Sequence, residues 1–264
     1  MKLAIPKVCI QSKTLICGVL LFLGLSSSIS AQPIGDPQSK PESPTPAQLN
    51  TVSKSSKALK GDSQNSKVVI NRQELIAKVQ SFYAAISDFQ ADFKQTYTYH
   101  IYGRKKRSTG KVFFKKPARM RWDYETPTQR IFVADGKTLW VYEPEEAQVF
   151  KRDLSSAQLP IALRFMQGEA QLDQEFNITS LSMDTDQLVI LSLTPKSPSP
   201  DFTMLKLKVD ASNGEVKSST LIDPTGNSNE ITFVAAKVNQ DLPNSGFSFT
   251  PPQGVRVIDE ENSP

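Results

Sequence analysis

The chain has 264 residues, 38% of them hydrophobic and 22% charged, with a formal net charge of +4. That is enough apolar content for one sizeable core, and a charge so near balance gives no reason to expect nucleic acid as a partner. With His100 as the single histidine and only Cys9 and Cys17 as thiols, thiol catalysis and a conventional zinc site are excluded unless those amino-terminal cysteines are retained.

In chain order, residues 1–31 carry Lys2, Lys7 and Lys13 without an acid, then the apolar run Leu15 to Leu25, then small residues ending at Ala31. This reads as a cleavable signal peptide, because the apolar run is roughly half of the about twenty residues that a membrane span needs. An uncleaved anchor is the weaker alternative. Neither cysteine is placed for lipid attachment, so the exported chain is expected to be free and soluble, without a thiol and close to neutral. Residues 32–67 are rich in Pro, Ser, Lys and Gln and contain no aromatic residue. Such a segment cannot bury enough apolar surface to offset its conformational entropy and is expected to be a disordered tether.

The folded domain is expected over 68–259, with a short disordered tail over 260–264. It opens on a helix capped by Asn71, with Glu74 in the capping-box position and Leu75, Ile76, Val79, Phe82, Tyr83 and Ile86 at helical spacing. The period then changes to two from Phe89 through Tyr97 and Tyr99 to Ile101, a long strand entering a hairpin at Tyr102-Gly103.

Lys111 to Phe150 is the densest strand signal. Alternating apolar residues, including both tryptophans, are cut by Lys116-Pro117, Thr126-Pro127, Asp135-Gly136 and Glu143-Pro144, the pattern of an antiparallel meander. A short apolar helix with Pro160 in its first turn follows, with Ile161, Leu163 and Met166 as its apolar residues, placed as a lid would be. Strands are then predicted over 175–181, 187–193, 203–209, 215–221 and 230–237, and Phe247, Phe249, Val255, Val257 and Ile258 close the domain. Roughly ten or eleven strands and two or three helices, with no βαβ alternation, define a mainly β fold: one long antiparallel sheet curled over apolar helices.

Catalytic equipment is hard to find. No Gly-x-Ser-x-Gly elbow accompanies His100, which reads as an ordinary strand residue. Glycoside hydrolysis would need two carboxylates about 5 to 10 Å apart in a cleft. Glu143, Glu145 and Glu146 flank Pro144 at a turn and are expected to be solvated. No phosphate-cradling glycine motif occurs. From Lys94 to Arg121 there are ten basic residues and no acid, with Arg104, Lys105, Lys106 and Arg107 at the hairpin tip. These fit either a solvated edge that resists strand pairing or a surface that docks on anionic lipid headgroups or an acidic partner. Apolar surface without a reaction attached points to binding something greasy.

The run Lys115 to Trp122 (KKPARMRW), then Pro127 and Val133 to Tyr142 (VADGKTLWVY) with Pro144, and the ending Phe247 to Val255 (FSFTPPQGV), resemble the outer-membrane lipoprotein carrier family, LolA. The resemblance covers roughly 68–259. It implies an unclosed antiparallel β-barrel whose hydrophobic cavity is covered by helices acting as a lid, in a monomer of the periplasm without cofactor or catalysis. The implied partners are lipoprotein acyl chains, an inner-membrane lipoprotein-releasing ABC transporter, and an outer-membrane acceptor or the outer membrane itself. A sensory domain of the same half-barrel type, reporting on lipid or lipoprotein, is the rival reading.

For the cavity the candidates are Phe114, Met120, Trp122, Phe132, Leu139 and Trp140 from the strands and Leu75 and Val79 from the first helix, with Ile161, Leu163 and Met166 in the lid. Members of the family commonly place an arginine before the proline of the Lys-x-Pro segment, where it holds the lid shut. This chain has Lys116 there, and three donors on a flexible stem make a weaker latch than a fixed guanidinium fork.

Overall fold

The computed structural model describes residues 71–154 and 171–259. The expected signal peptide, tether, apolar helix around Ile161, Leu163 and Met166, and acidic tail lie outside the described residues.

The first helix, α1, spans Arg72–Ala85. Asn71 caps it: its side-chain carbonyl accepts the backbone N–H groups of Gln73 at 3.0 Å and Glu74 at 3.4 Å. Glu74 turns its carboxylate to Lys78 one turn on, at 3.1 Å. Leu75, Ile76, Val79 and Tyr83 are buried along one stripe.

Twelve strands among the described residues form one sheet: β1 Asp88–Tyr99, β2 Arg104–Lys115, β3 Arg119–Thr126, β4 Arg130–Asp135, β5 Thr138–Glu143, β6 Gln148–Asp153, β7 Phe176–Met183, β8 Val189–Pro195, β9 Met204–Val209, β10 Val216–Ile222, β11 Ser228–Val238 and β12 Arg256–Asp259. A four-residue helix, α2, Leu172–Glu175, precedes β7. The spatial order is β12-β6-β5-β4-β3-β2-β1-β11-β10-β9-β8-β7, so β12 and β7 are the two edges and the sheet stays unclosed. Only β12 departs from the antiparallel pattern: it returns from the carboxyl-terminal segment and pairs in parallel with β6. The strand pattern of the sequence left that short strand unresolved.

Register fixes the faces. Phe114 lies opposite Met120, Val112 opposite Trp122, Trp122 opposite Phe132, and Phe132 opposite Val141. Side chains directly across antiparallel strands share a face. The core face therefore carries Phe93, Val112, Trp122, Phe132 and Val141. It continues through Ile231 into Leu207 and Leu191 on the later strands. Gly110 sits opposite Phe93 and Tyr124, and a Cβ there would collide with the Asp123 backbone and come within 2.8 Å of the Phe93 ring. Its lack of a side chain lets Phe93 reach across β2 to Trp122 at 4.9 Å and Tyr124 at 4.8 Å between ring centroids, both edge to face.

The opposite, outer face of β2–β5 is covered by the segment after β11, which contains a 3₁₀ turn at Asn244–Phe247. Buried Asp88 holds the start of this segment by accepting the N–H groups of Gln240 at 2.7 Å and Leu242 at 3.3 Å. Lys115 donates to the Leu242 carbonyl. Phe249 then stacks obliquely on Trp140 and Tyr142, with centroids 5.9 and 5.6 Å away.

Candidate functional site

The core face is the candidate site. Phe114, Met120, Trp122, Phe132 and Leu139 stand on it, each at most 7% exposed. Trp140 does not. Strand alternation puts it opposite Val133 on the outer face, half-buried beneath Phe249, which corrects its expected place beside Leu139. Apolar runs such as Ile131-Phe132-Val133 hid this parity, because the carboxyl-terminal segment makes the outer face apolar as well.

Leu75 and Val79 are buried on α1. Two parts of the sheet grip this helix. On one side, the Lys78 ammonium donates to the Ala211 carbonyl at 3.2 Å, and the Tyr83 hydroxyl is hydrogen-bonded to the Val216 backbone. Gly214, at φ +84°, comes so close to the helix that any Cβ there would strike the Lys78 carbonyl. On the other side, Lys116 Nζ donates to the carbonyls of Tyr83 at 2.8 Å and Ala84 at 2.9 Å. A cation meeting the unpaired carbonyls of a helix carboxyl terminus satisfies them and complements the helix dipole. Partial burial lowers the Lys116 ammonium pKa. The element that Lys116 holds is thus α1.

The core face has a polar end that sequence reading missed. Arg130 and Glu143 are buried and paired, Nη2 to Oε1 at 2.8 Å. Gln148 donates to Glu143 Oε2 at 2.6 Å, and Arg256 donates to the Gln148 side-chain amide oxygen, Oε1, at 2.8 Å, so the network ties β4, β5, β6 and β12 together. Glu145 and Glu146 are exposed at the turn as expected, but Glu143 belongs to β5, points to the core and is only 2% exposed. Its partner is an arginine rather than a second carboxylate, so it does not form the paired-acid arrangement of a glycosidase. The signal available was positional: Glu143 continues the Leu139, Val141 alternation. Beside this network, Gln95 donates to Asn229 at 2.8 Å, and burial pushes the Tyr124 hydroxyl pKa far up, opposed by Gln95 and by the Arg130 charge.

Of the basic cluster, Arg104, Lys105 and Arg107 are exposed, while Lys106 is half-buried. Burial, with Arg130 nearby, lowers the Lys106 pKa. His100 lies just past β1 in the hairpin turn, exposed, rather than within the strand. A small groove of about 230 Å³ lies on the outer face, between Phe113, Arg121 and Asp123 of the sheet and Leu242, Pro243, Gly246 and Phe247 of the covering segment.

A sheet of this order with an apolar core face and a helix held at one end defines a binding scaffold, and comparison with known proteins names its kind. The family model "Outer membrane lipoprotein carrier protein LolA" matches residues 84–250, and the chain belongs to that family. The outer-membrane lipoprotein carrier protein of Chromobacterium violaceum is 28% identical over 183 residues, 69% of this chain and 86% of that one. That of Xanthomonas oryzae pv. oryzae is 31% identical over 188 residues, 71% and 87% of the two chains. Among solved structures, a LolA-superfamily protein from Nitrosomonas europaea superposes with 14% identity over 69% of this chain and 99% of its own, at a TM-score of 0.38, too loosely to place any residue.

Proposed function

We propose that this protein is a periplasmic lipoprotein carrier: it holds the acyl chains of lipoproteins against the core face of its sheet and moves them from an inner-membrane ABC transporter to the outer membrane. Family membership over 84–250 is the observation that carries this reading. The core face supports it with an apolar wall of Phe93, Phe114, Met120, Trp122 and Phe132. No chemical step is assigned, and any energy input belongs to the donor.

The physical logic follows from magnitudes. Each buried methylene contributes about 0.8 kcal/mol, so an acyl chain is costly to expose in water and needs a cover. A carrier must also release it. When empty, the apolar surfaces of α1 and the sheet bury one another, and cargo has to displace those contacts. The displaced contacts subtract from the gain, which keeps affinity between that of donor and acceptor. Lys116 is assigned as the latch, its two bonds to Tyr83 and Ala84 breaking when α1 lifts. Leu75 and Val79 then face the cargo, with Ile161, Leu163 and Met166 assigned to the remainder of the lid.

The test is to incubate the purified protein with inner membranes bearing a labelled lipoprotein and its transporter, with ATP. Label is expected to move into the soluble fraction bound to this protein; retention of all label in the membrane would overturn the carrier reading.

A further inference from the structure

Ile101 and Tyr102 are the most exposed large apolar residues among those described, at 77% and 75%. Met183, Val234 and Val257 are also exposed, but they lie apart in the sequence and on separate strands, as isolated surface residues commonly do. Ile101 and Tyr102 are adjacent, at the turn that joins β1 to β2, with Arg104, Lys105 and Arg107 exposed immediately beyond them. The β2 residues before Thr109 pair with β1 but have no partner on β3. The hairpin end therefore overhangs the sheet on that side.

The overhang is braced. The His100 N–H donates to Asn227 Oδ1 at 2.9 Å, and Asn227 is itself fixed by Asp223 through its backbone N–H at 2.9 Å and its side-chain amide at 2.8 Å. Gly226, at φ +84°, leaves room for the His100 ring, which a Cβ there would meet at 3.1 Å. The turn between β10 and β11 thus supports the hairpin from one side while Ile101 and Tyr102 project into solvent. A braced pair of exposed apolar side chains costs hydration free energy and gains nothing from the fold itself.

We propose that the His100–Arg107 tip is a bilayer anchor, in which Ile101 and Tyr102 enter the interfacial region of a membrane while Arg104, Lys105 and Arg107 meet anionic headgroups. The shape favours a membrane over a protein partner. A two-stranded tip with two apolar residues offers far less than the roughly 800 Å² per partner of a stable protein interface, whereas it matches what penetrates a headgroup layer. Tyrosine suits that depth, with an apolar ring and a hydroxyl that stays wet. The charge matches as well: no acid occurs from Lys94 to Arg121, and of the acids across β1, Glu230 lies opposite Thr96 and Asp223 is engaged by Asn227 in the bracing turn. Docked this way, the protein places the Tyr97 and Lys106 end of its core face against the membrane, and the Lys116 end away from it.

The test is flotation of the purified protein with vesicles of phosphatidylethanolamine and phosphatidylglycerol, and with vesicles of phosphatidylcholine alone. The protein is expected to float with the anionic vesicles. The pair Ile101→Ser with Tyr102→Ser should lower the partition coefficient by roughly tenfold or more. Replacing Arg104, Lys105 and Arg107 by Gln should lower it by about fivefold per charge, on anionic vesicles only. Tyr102→Trp should give a blue-shifted emission on binding. The proposal is overturned if the wild type stays unbound, if the serine pair binds as the wild type does, or if the Tyr102→Trp emission does not move. Loss of binding in the glutamine variant alone would mean charge attraction without insertion and would equally overturn it. No lipoprotein is present, so the outcome is independent of the carrier reading.

Discussion

The two tryptophans stand in neighbouring stretches of one meander and have opposite fates. Trp122 faces the core, 2% exposed, with Phe93, Phe114 and Tyr124 around it. Trp140 faces outward and is roofed by Phe249 from the carboxyl-terminal segment. Both belong to aromatic clusters of the same sheet, Trp122 on β3 and Trp140 on β5, but they differ in what covers them. The chain closes its outer face with its own tail, anchored by Asp88 and Lys115. On the core face it has α1, held at its carboxyl end by Lys116. A covering segment that is part of the sheet's own continuation, ending in β12, is a fixed wall. A helix that meets the sheet through side chains, Lys78 and Tyr83 on one side and Lys116 on the other, rather than through strand pairing is the more separable cover, and this difference makes the core face the one to which cargo is assigned.

The difference between the two faces should show first in stability. Trp122→Ala should lose about 3–5 kcal/mol in denaturant unfolding, the range for truncating a fully packed ring, whereas Trp140→Ala should lose about half of that or less. Equal losses would mean that the two faces are packed alike. Arg130→Met, which leaves Glu143 buried and unpaired, should also cost about 3–5 kcal/mol. Adding Glu143→Met should restore most of it, since the pair already leaves Arg130 Nε and Nη1 buried without a protein acceptor. No recovery in the double variant would show that the polar end does more than hold strands together.

Alkaline pH probes the same face. Burial raises the pKa of Tyr83 and Tyr124 above the ordinary 10.0. Above pH 10 the unfolded chain loses these protons while the folded one retains them, so stability present at neutral pH falls as pH rises. Each tyrosine should contribute a slope of about 1.4 kcal/mol per pH unit between the two pKa values. Tyr124→Phe should flatten the decline; an unchanged slope would count against its burial. The smallest expected effect is that of Lys116→Leu, about 1 kcal/mol or less in stability. Its larger consequence should be altered release of cargo, and unchanged transfer would remove the latch assignment.

Much of this was legible in the sequence because its patterns are local. Asn71 caps the helix as its position predicts, and β7 to β11 fall within a few residues of where period-two alternation and turn residues put them. What escaped was non-local. Phe113-Phe114 and Ile131-Phe132-Val133 are apolar on both sides because residues 242–249 return to cover the outer face, and nothing within those runs reveals it. Glu143 looked like a turn acid because its partner Arg130 comes from another strand. Ile101 completed an alternating run but sits in the turn, where that alternation no longer has a sheet face to serve. The parallel direction of β12 is likewise set by where the tail arrives rather than by its own residues.

Which face carries the cargo can be read by site-specific photo-crosslinking during transfer. Benzoylphenylalanine is placed at Phe114 on the core face, or at Trp140 on the outer face, and the protein is irradiated while it takes labelled lipoprotein from inner membranes. A lipoprotein adduct is expected at position 114 and none at position 140. An adduct at 140 without one at 114 would contradict the assignment of cargo to the core face.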